Sequence, residues 1–260
     1  MTVCPKGHDK PRNFIKMSLS NPVKNNPDLS KAESWKMFDR ISQRYDFLNR
    51  LFSFGLDVVW RQRLVRYLPN QNNQVVVDIA TGTADVLLYL LQQNSNISRG
   101  YGIDLAENML AIGRQKVQAR QLQDKIILQH GDAQQIPFPA NQFDAATIAF
   151  GIRNMAEPVI VLKEIFRILK PQGRALVLEF SLPQNRFLKS IYLVYLRHFI
   201  PAFGTVLSGG DGAYRYLNRT IETFPSGRDF CALMESAGFK NIVAHPLTFE
   251  VATIYQGDKS

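Results

Sequence analysis

Three short apolar runs in the middle of this chain each end at or near an aspartate, and helical stretches follow the first two. That repeat narrows the available folds more than any other feature. Val75-Val76-Val77 ends on Asp78 and leads through a glycine-containing turn into a helical stretch at 84–93. Gly100-Tyr101-Gly102-Ile103 ends on Asp104 ahead of a second helix at 107–120, and residues 126–129 end near Asp132. A run at 145–150, a helix at 159–169, the turn Pro171-Gln172-Gly173 and a run at 175–180 continue the alternation. Short continuous apolar strands separated by helices build a parallel sheet that is covered on both faces and connected by right-handed crossovers. The expected fold class is therefore α/β, a doubly wound sheet. A helix at 228–237 stopped by Gly238, then two strand-like runs at 241–244 and 248–255, predict a terminal hairpin that completes the sheet with an antiparallel strand.

The remaining segments are additions to that core, which spans 75–260. Residues 1–30 hold Pro5, Pro11, Pro22 and Pro27 among Lys and Asn without apolar periodicity, the composition of a disordered basic tail. Residues 31–74 read as a helical extension. Phe38, Ile41, Tyr45 and Leu48 fall at helical spacing, with Lys36, Arg40 and Arg44 at every fourth position beside them, and a second helical stretch at 58–67 ends before Pro69. Residues 187–207 are strongly apolar but are interrupted by Lys189, Arg197, His198 and Pro201, which suits a lid inserted at about 183–225 better than a membrane span.

Charge tests for a nucleic-acid partner. The net +9 divides into +7 over residues 1–74, 0 over 75–182 and +2 over 183–260, so the excess lies outside the core. With no aromatic-basic platform or separate module, nucleic acid is not an expected partner; an anionic membrane, or plain solvation, remains for the basic extension. No run of about 20 apolar residues and no secretory leader is evident, and Cys4 and Cys231 are far apart without metal-ligand neighbours. These features predict a cytoplasmic protein with no metal site and no disulfide framework.

In an open parallel sheet, ligands bind beyond the carboxyl ends of the strands. Asp78 to Asp85 contains Gly82, which allows a tight turn and close backbone approach to a ligand, although an ordinary strand-to-helix connection would also use it. One glycine is too few for the three-glycine pyrophosphate turn of a nicotinamide or flavin enzyme. Asp104 follows Asp78 by 26 residues, where an acid can chelate two ribose hydroxyls, with a helix N-cap as the competing role. Asp132-Ala133 can meet an adenine amine and ring nitrogen, unless Asp132 is a simple turn residue.

Beyond these strand ends, the chain carries Tyr45-Asp46-Phe47-Leu48-Asn49, Ile136-Pro137-Phe138-Pro139 and Phe150-Gly151-Ile152-Arg153-Asn154. Further on come Leu169-Lys170-Pro171-Gln172-Gly173, Leu178-Glu179-Phe180-Ser181, Tyr214-Arg215-Tyr216-Leu217 and Ala237-Gly238-Phe239. Together these strings resemble the UbiE/MenG family of quinone-biosynthesis C-methyltransferases, over about residues 33–257. The resemblance implies a class I, Rossmann-like fold that binds S-adenosylmethionine and methylates the ring of a prenylated quinol. Demethylmenaquinol or 2-methoxy-6-polyprenyl-1,4-benzoquinol would be that substrate. It carries cofactor ligands onto Thr83, Asp104, Asp132 and Ala133, joining Asp78 and Gly82 of the first turn; where some members have a contacting serine this chain has Ala149, which is no ligand.

C-methylation of an ionised quinol needs positioning and proton removal rather than a metal. Arg153, after the fourth strand, can hold a quinol oxygen or polarise a water, unless it pairs with Glu157 or Glu179. Asn154 can orient the same oxygen, and Tyr45 can close the pocket or simply pack in the core. The lid has a second apolar face, Leu188, Tyr192 and Phe199, to set against an isoprenoid tail, the inner face of the membrane as a peripheral contact, or a second copy in a homodimer.

Overall fold

The computed structural model describes residues 2–3, 34–200 and 212–260. Elements are numbered in chain order. Two helices, α1 (Ser34–Phe52) and α2 (Leu56–Arg63), precede the sheet. The alternation then runs β2 (Gln74–Ile79), α3 (Asp85–Gln93), β3 (Ile97–Asp104), α4 (Glu107–Ala119), β4 (Ile126–His130), β5 (Phe143–Ala149), α5 (Pro158–Ile168) and β6 (Leu169–Phe180). After it come α6 (Arg186–Val194), α7 (Gly212–Thr223), α8 (Arg228–Ser236), β7 (Lys240–Leu247) and β8 (Ala252–Asp258).

With β1 (Thr2–Val3) the sheet has eight strands in the order β1-β7-β8-β6-β5-β2-β3-β4. Strands β2 to β6 pair in parallel, and β8 runs antiparallel between β6 and β7. Chain order reverses between β2 and β5, so a crevice opens at their carboxyl ends. Neighbouring residues feed opposite layers. Val76, Ala145 and Leu176 pack beneath α2 and α3 with Trp60 and Leu87, whereas Val77, Ala146 and Val177 pack with Leu162 of α5 and Phe230 of α8. Two covered faces explain why the strands read as continuous apolar runs.

Four details differ from expectation. Thr2–Val3, within the expected tail, pair antiparallel with β7 through Thr2↔Ala244; the rest of that tail lies outside the described residues. The Pro171-Gln172-Gly173 turn is a kink inside β6, where Gln172 takes φ 66° and the register with β5 shifts. The hairpin's second strand starts at Ala252 because Thr248, Phe249 and Glu250 adopt φ 43°, 54° and 69° and build a wide turn. Cys231, buried on α8, is disulfide-bonded, against the expectation of unlinked thiols. Asn185 caps α6 by accepting from the backbone N–H of Phe187 and Leu188, and α6 continues into a widened helical turn, Tyr195–Phe199. Residues 201–211, and the side chains of the Tyr214-Arg215-Tyr216-Leu217 string on α7, lie outside the described residues.

Candidate active site

Beyond β2 the chain takes left-handed backbone at Ala80, Gly82 and Ala84, with φ of 52°, 55° and 64°. Glycine tolerates this, but the two alanines are strained at roughly 1–2 kcal/mol each, a pattern that clusters at ligand-binding turns. Asp104, at the end of β3, holds the turn open. Its Oδ2 accepts from Gly82 N and its Oδ1 from Ala106 N, both at 2.8 Å, leaving lone pairs on both oxygens. The foreseen capping role is not realised: α4 is capped by Ala106 with no side-chain hydrogen bond, and the bond from Ala106 N to Asp104 closes a local turn ahead of the helix. Burial pushes its carboxyl upward, against the pull of these backbone N–H groups.

Gly82, Asp104, Asp132 and Ala133 line one cavity of about 100 Å³. Its outer wall comes from α1, through Ser34, Trp35, Phe38 and Tyr45. Asp132 also accepts from Gln134 N at 2.8 Å, which fixes its carboxylate at the rim. Ala149 lines the same space with a methyl group only.

Two expected cofactor-binding positions, Thr83 from the family resemblance and Asp78 from the first turn, do not reach the cavity lining. Thr83 is 3% exposed, and its hydroxyl is engaged with Asp46 Oδ1 at 2.9 Å and Lys116 Nζ at 2.8 Å. Asp78 is 1% exposed, accepts from Thr147 Oγ1 at 2.5 Å, and is pushed up to about 7 by burial. It supports the turn from below. Thr83 instead belongs to a strap that sequence reasoning missed, in which Lys116 Nζ reaches Asp46 Oδ2 at 2.5 Å and Asp85 Oδ1 at 2.7 Å. A second tie joins Asp39 to Asn108 N and Nδ2, at 2.8 Å each. Both ties pin α1 to the core, and no local sequence signal links residues so far apart.

A larger apolar cavity of about 260 Å³ lies beside the first. Phe38, Tyr45, Phe150 and Asn154 line both and form the partition between them. Tyr45 packs edge-on to Phe38 at 5.8 Å, so its packing and its pocket-closing roles coincide. Few polar groups enter the larger space: Arg153, Asn154, Asp57 and Arg61 among the charged and amide side chains facing Phe52, Tyr192, Leu196 and Ile221. Arg153 forms the ion pair foreseen as its alternative, with Glu179 rather than Glu157: Nη1 lies 2.7 Å from Oε1 and also donates to Phe150 O at 2.7 Å. Its Nε, like Asn154 Oδ1, is buried without a hydrogen-bond partner. An unpartnered donor on Arg153, which lines the larger cavity, and an unpartnered acceptor on the next residue, Asn154, at the partition, are what a phenolic oxygen needs. Arg61 was also missed; it pairs with Asp57 one helical turn away and sits 5.2 Å from the Phe150 ring.

The sheet order, the Asp104 and Asp132 acceptors and the capped crevice define a class of protein, the Rossmann-like S-adenosylmethionine-dependent methyltransferases. Solved members share the fold: a methyltransferase of Thermotoga maritima aligns at TM-score 0.61 and 20% identity over 87% of this chain and 99% of that one. One of Aquifex aeolicus aligns at 0.57 and 17%, over 90% and 100%. At such identities the likeness is one of fold. The model of the ubiE/COQ5 methyltransferase family matches residues 27–259, and the chain belongs to that family. It is 44% identical to the ubiquinone/menaquinone biosynthesis C-methyltransferase UbiE of Geobacter sulfurreducens over 86% of this chain and 87% of that one. Against the demethylmenaquinone methyltransferase of Thermus thermophilus it is 43% identical, over 86% and 100%. It is accordingly a methyltransferase that uses S-adenosylmethionine.

Proposed function

We propose that this enzyme methylates a ring carbon of a prenylated quinol, demethylmenaquinol or the corresponding polyprenyl benzoquinol. The observation that carries this reading is the apolar cavity sharing a partition with the cofactor cavity, with the buried guanidinium of Arg153 on the apolar cavity's wall and the buried amide of Asn154 at the partition. The names of the relatives from G. sulfurreducens and T. thermophilus support it.

Asp104 would hold the ribose hydroxyls of the cofactor, with Asp132 and Ala133 at its base and the Gly82 turn at its amino-acid end. When bound, the cofactor supplies a sulfonium methyl, an electrophile with a neutral leaving group. The chain prepares the nucleophile. Arg153 Nε donates to a quinol oxygen and stabilises its anion, which raises electron density on the ring carbon, while Asn154 Oδ1 accepts from a quinol O–H or a water. Tyr45 and Phe38, within the partition, hold the ring and exclude bulk water, and after transfer the proton on the methylated ring carbon passes through a water ordered by Arg153 and Asn154 and on to solvent, which restores the aromatic ring.

The same reading includes peripheral contact with the inner face of the cytoplasmic membrane, where a polyprenyl tail resides; no described helix is long and apolar enough to cross a membrane. A homodimer burying the lid is the competing fate for that surface. The test is incubation of the pure enzyme with S-adenosylmethionine and each demethylated quinol, followed by mass spectrometry. Gain of one methyl on the ring carbon of either is expected; cofactor binding without methylation of either quinol would sink the reading.

A further inference from the structure

The rim of the apolar cavity presents large apolar side chains to water. On α6, Phe187, Ile191 and Val194 stand at i, i+4 and i+7 with 73%, 53% and 60% of their surface exposed. Tyr192, Tyr195 and Leu196, on the opposite side of the same helical segment, line the cavity. Phe249, 75% exposed, crowns the β7–β8 turn, and that turn is tied to the approach to α6 by Gln184 N donating to Glu250 Oε2 at 2.7 Å. Phe54 is 73% exposed, lines the cavity and lies 6.0 Å from Tyr195. Three separate elements, each of which also carries residues lining the cavity, therefore expose large apolar side chains.

In the β7–β8 turn, Thr248, Phe249 and Glu250 are three successive non-glycine residues with left-handed φ; Trp60 Nε1 donating to Thr248 Oγ1 at 2.9 Å and Ser181 Oγ donating to Glu250 O at 2.6 Å anchor the turn, and Phe249 stands out to solvent. Along the α6 segment the charged side chains have one sign: residues 186–199 include Arg186, Lys189 and Arg197 and no carboxylate, although Glu222 pairs with Arg197 at 2.5 Å and Glu250 lies in the β7–β8 turn; Arg186 and Lys189 flank the exposed stripe. An apolar helix face bordered by cations is the arrangement of a helix that lies in a bilayer interface.

We propose that this rim docks onto an anionic lipid bilayer with the cavity mouth facing the membrane, so that a lipid-borne substrate enters without crossing water. The proposal rests on the reading of the substrate as a prenylated quinol, and it places the membrane contact on the lid and the β7–β8 turn rather than on the Lys36/Arg40/Arg44 face of α1.

The test compares the whole chain with the variant Phe187→Gln, Ile191→Gln and Val194→Gln, none of which lines either cavity. Flotation with phosphatidylcholine vesicles, with and without phosphatidylglycerol, reads docking; methylation of a short-tailed quinol in buffer and of a long-tailed quinol in vesicles reads function. The wild type binds the anionic vesicles, and the variant loses about tenfold or more of that binding, the scale of withdrawing a few interfacial apolar groups. Its turnover of the short-tailed quinol stays unchanged while that of the long-tailed one falls. Phe249→Gln, on a different element, shifts binding in the same direction, which separates docking from damage to α6. Equal vesicle binding by wild type and triple variant overturns the proposal. So does a wild-type dimer that the variant dissolves while neither form binds vesicles. If the wild type methylates neither quinol yet binds vesicles through this rim, the substrate reading fails and the docking surface stands.

Discussion

The ion pair between Arg153 and Glu179 ties the chemistry of the site to the stability of the fold. Both side chains are nearly inaccessible, at 5% and 1%, with 2.7 Å between Nη1 and Oε1. At an effective dielectric near 20, unit charges about 4 Å apart attract by roughly 4 kcal/mol, and desolvation offsets much of that gain. Removing one partner is the costlier act, because it strands the other charge. Arg153→Met leaves Glu179 with backbone donors, notably Phe180 N at 2.8 Å; Glu179→Gln leaves a buried guanidinium bonded to Phe150 O. Each single replacement should cost about 3–5 kcal/mol. The double replacement strands no charge, so it should cost about 2–3 kcal/mol less than the sum of the two. Urea unfolding followed by the fluorescence of the chain's two tryptophans measures all four corners of the cycle. Additivity within about 0.5 kcal/mol, or a single replacement costing under about 1 kcal/mol, would refute the reasoning. A kinetic arm isolates the second role of the same side chain. Arg153→Met should lower kcat far more than Glu179→Gln while cofactor affinity stays constant, because only Arg153 offers Nε to the substrate. Equal loss in both would reduce Arg153 to a structural element.

Asp104→Ala should weaken S-adenosylmethionine binding by about 1.5–3 kcal/mol by calorimetry. It should also lower the urea midpoint, since Gly82 N and Ala106 N lose their acceptor; unchanged affinity would move the cofactor elsewhere. Lys116→Met, which cuts the strap between α1 and the core, should raise the cofactor Kd and the rate of product release together, and the difference from wild type should shrink at high salt, which screens the wild type's ion pairs; stopped-flow release no faster than wild type would show that α1 does not gate the cavity. Asp78 supplies a pH signature. Its folded pKa, about 7, lies above the unfolded one of about 4, so the folded state holds the extra proton, and stability present below about pH 4 is lost as pH rises through 7. Relative to Asp78→Asn, wild-type stability should therefore fall between pH 5 and 8, and a rise over that window would contradict the buried carboxyl.

Much of the fold was legible because apolar runs and their carboxyl-terminal aspartates are local. Val75 to Asp78 and Gly100 to Asp104 became β2 and β3 in the expected order, and Gly82, Asp104, Asp132 and Ala133 converged on one cavity because strand ends in such a sheet share an edge. Tyr45 and Asn154, singled out in the sequence, both line the partition between the two cavities. What the sequence could not decide was which side chain each functional group faces. Thr83 was expected to face the cofactor and instead meets Asp46 and Lys116, residues 37 and 33 positions away, because α1 packs against α4. Arg153 had two candidate carboxylates, and only the placement of β6 beside β5 brought Glu179 rather than Glu157 to it. The left-handed alanines at 80 and 84, where glycine would be the local choice, show the same dependence: tertiary contacts impose a backbone that their own sequence disfavours. Periodicity and strand-end chemistry act over a few residues and survive in the sequence; ion-pair choice, strain and the exposure of the lid arise from segments that meet only after the sheet has formed.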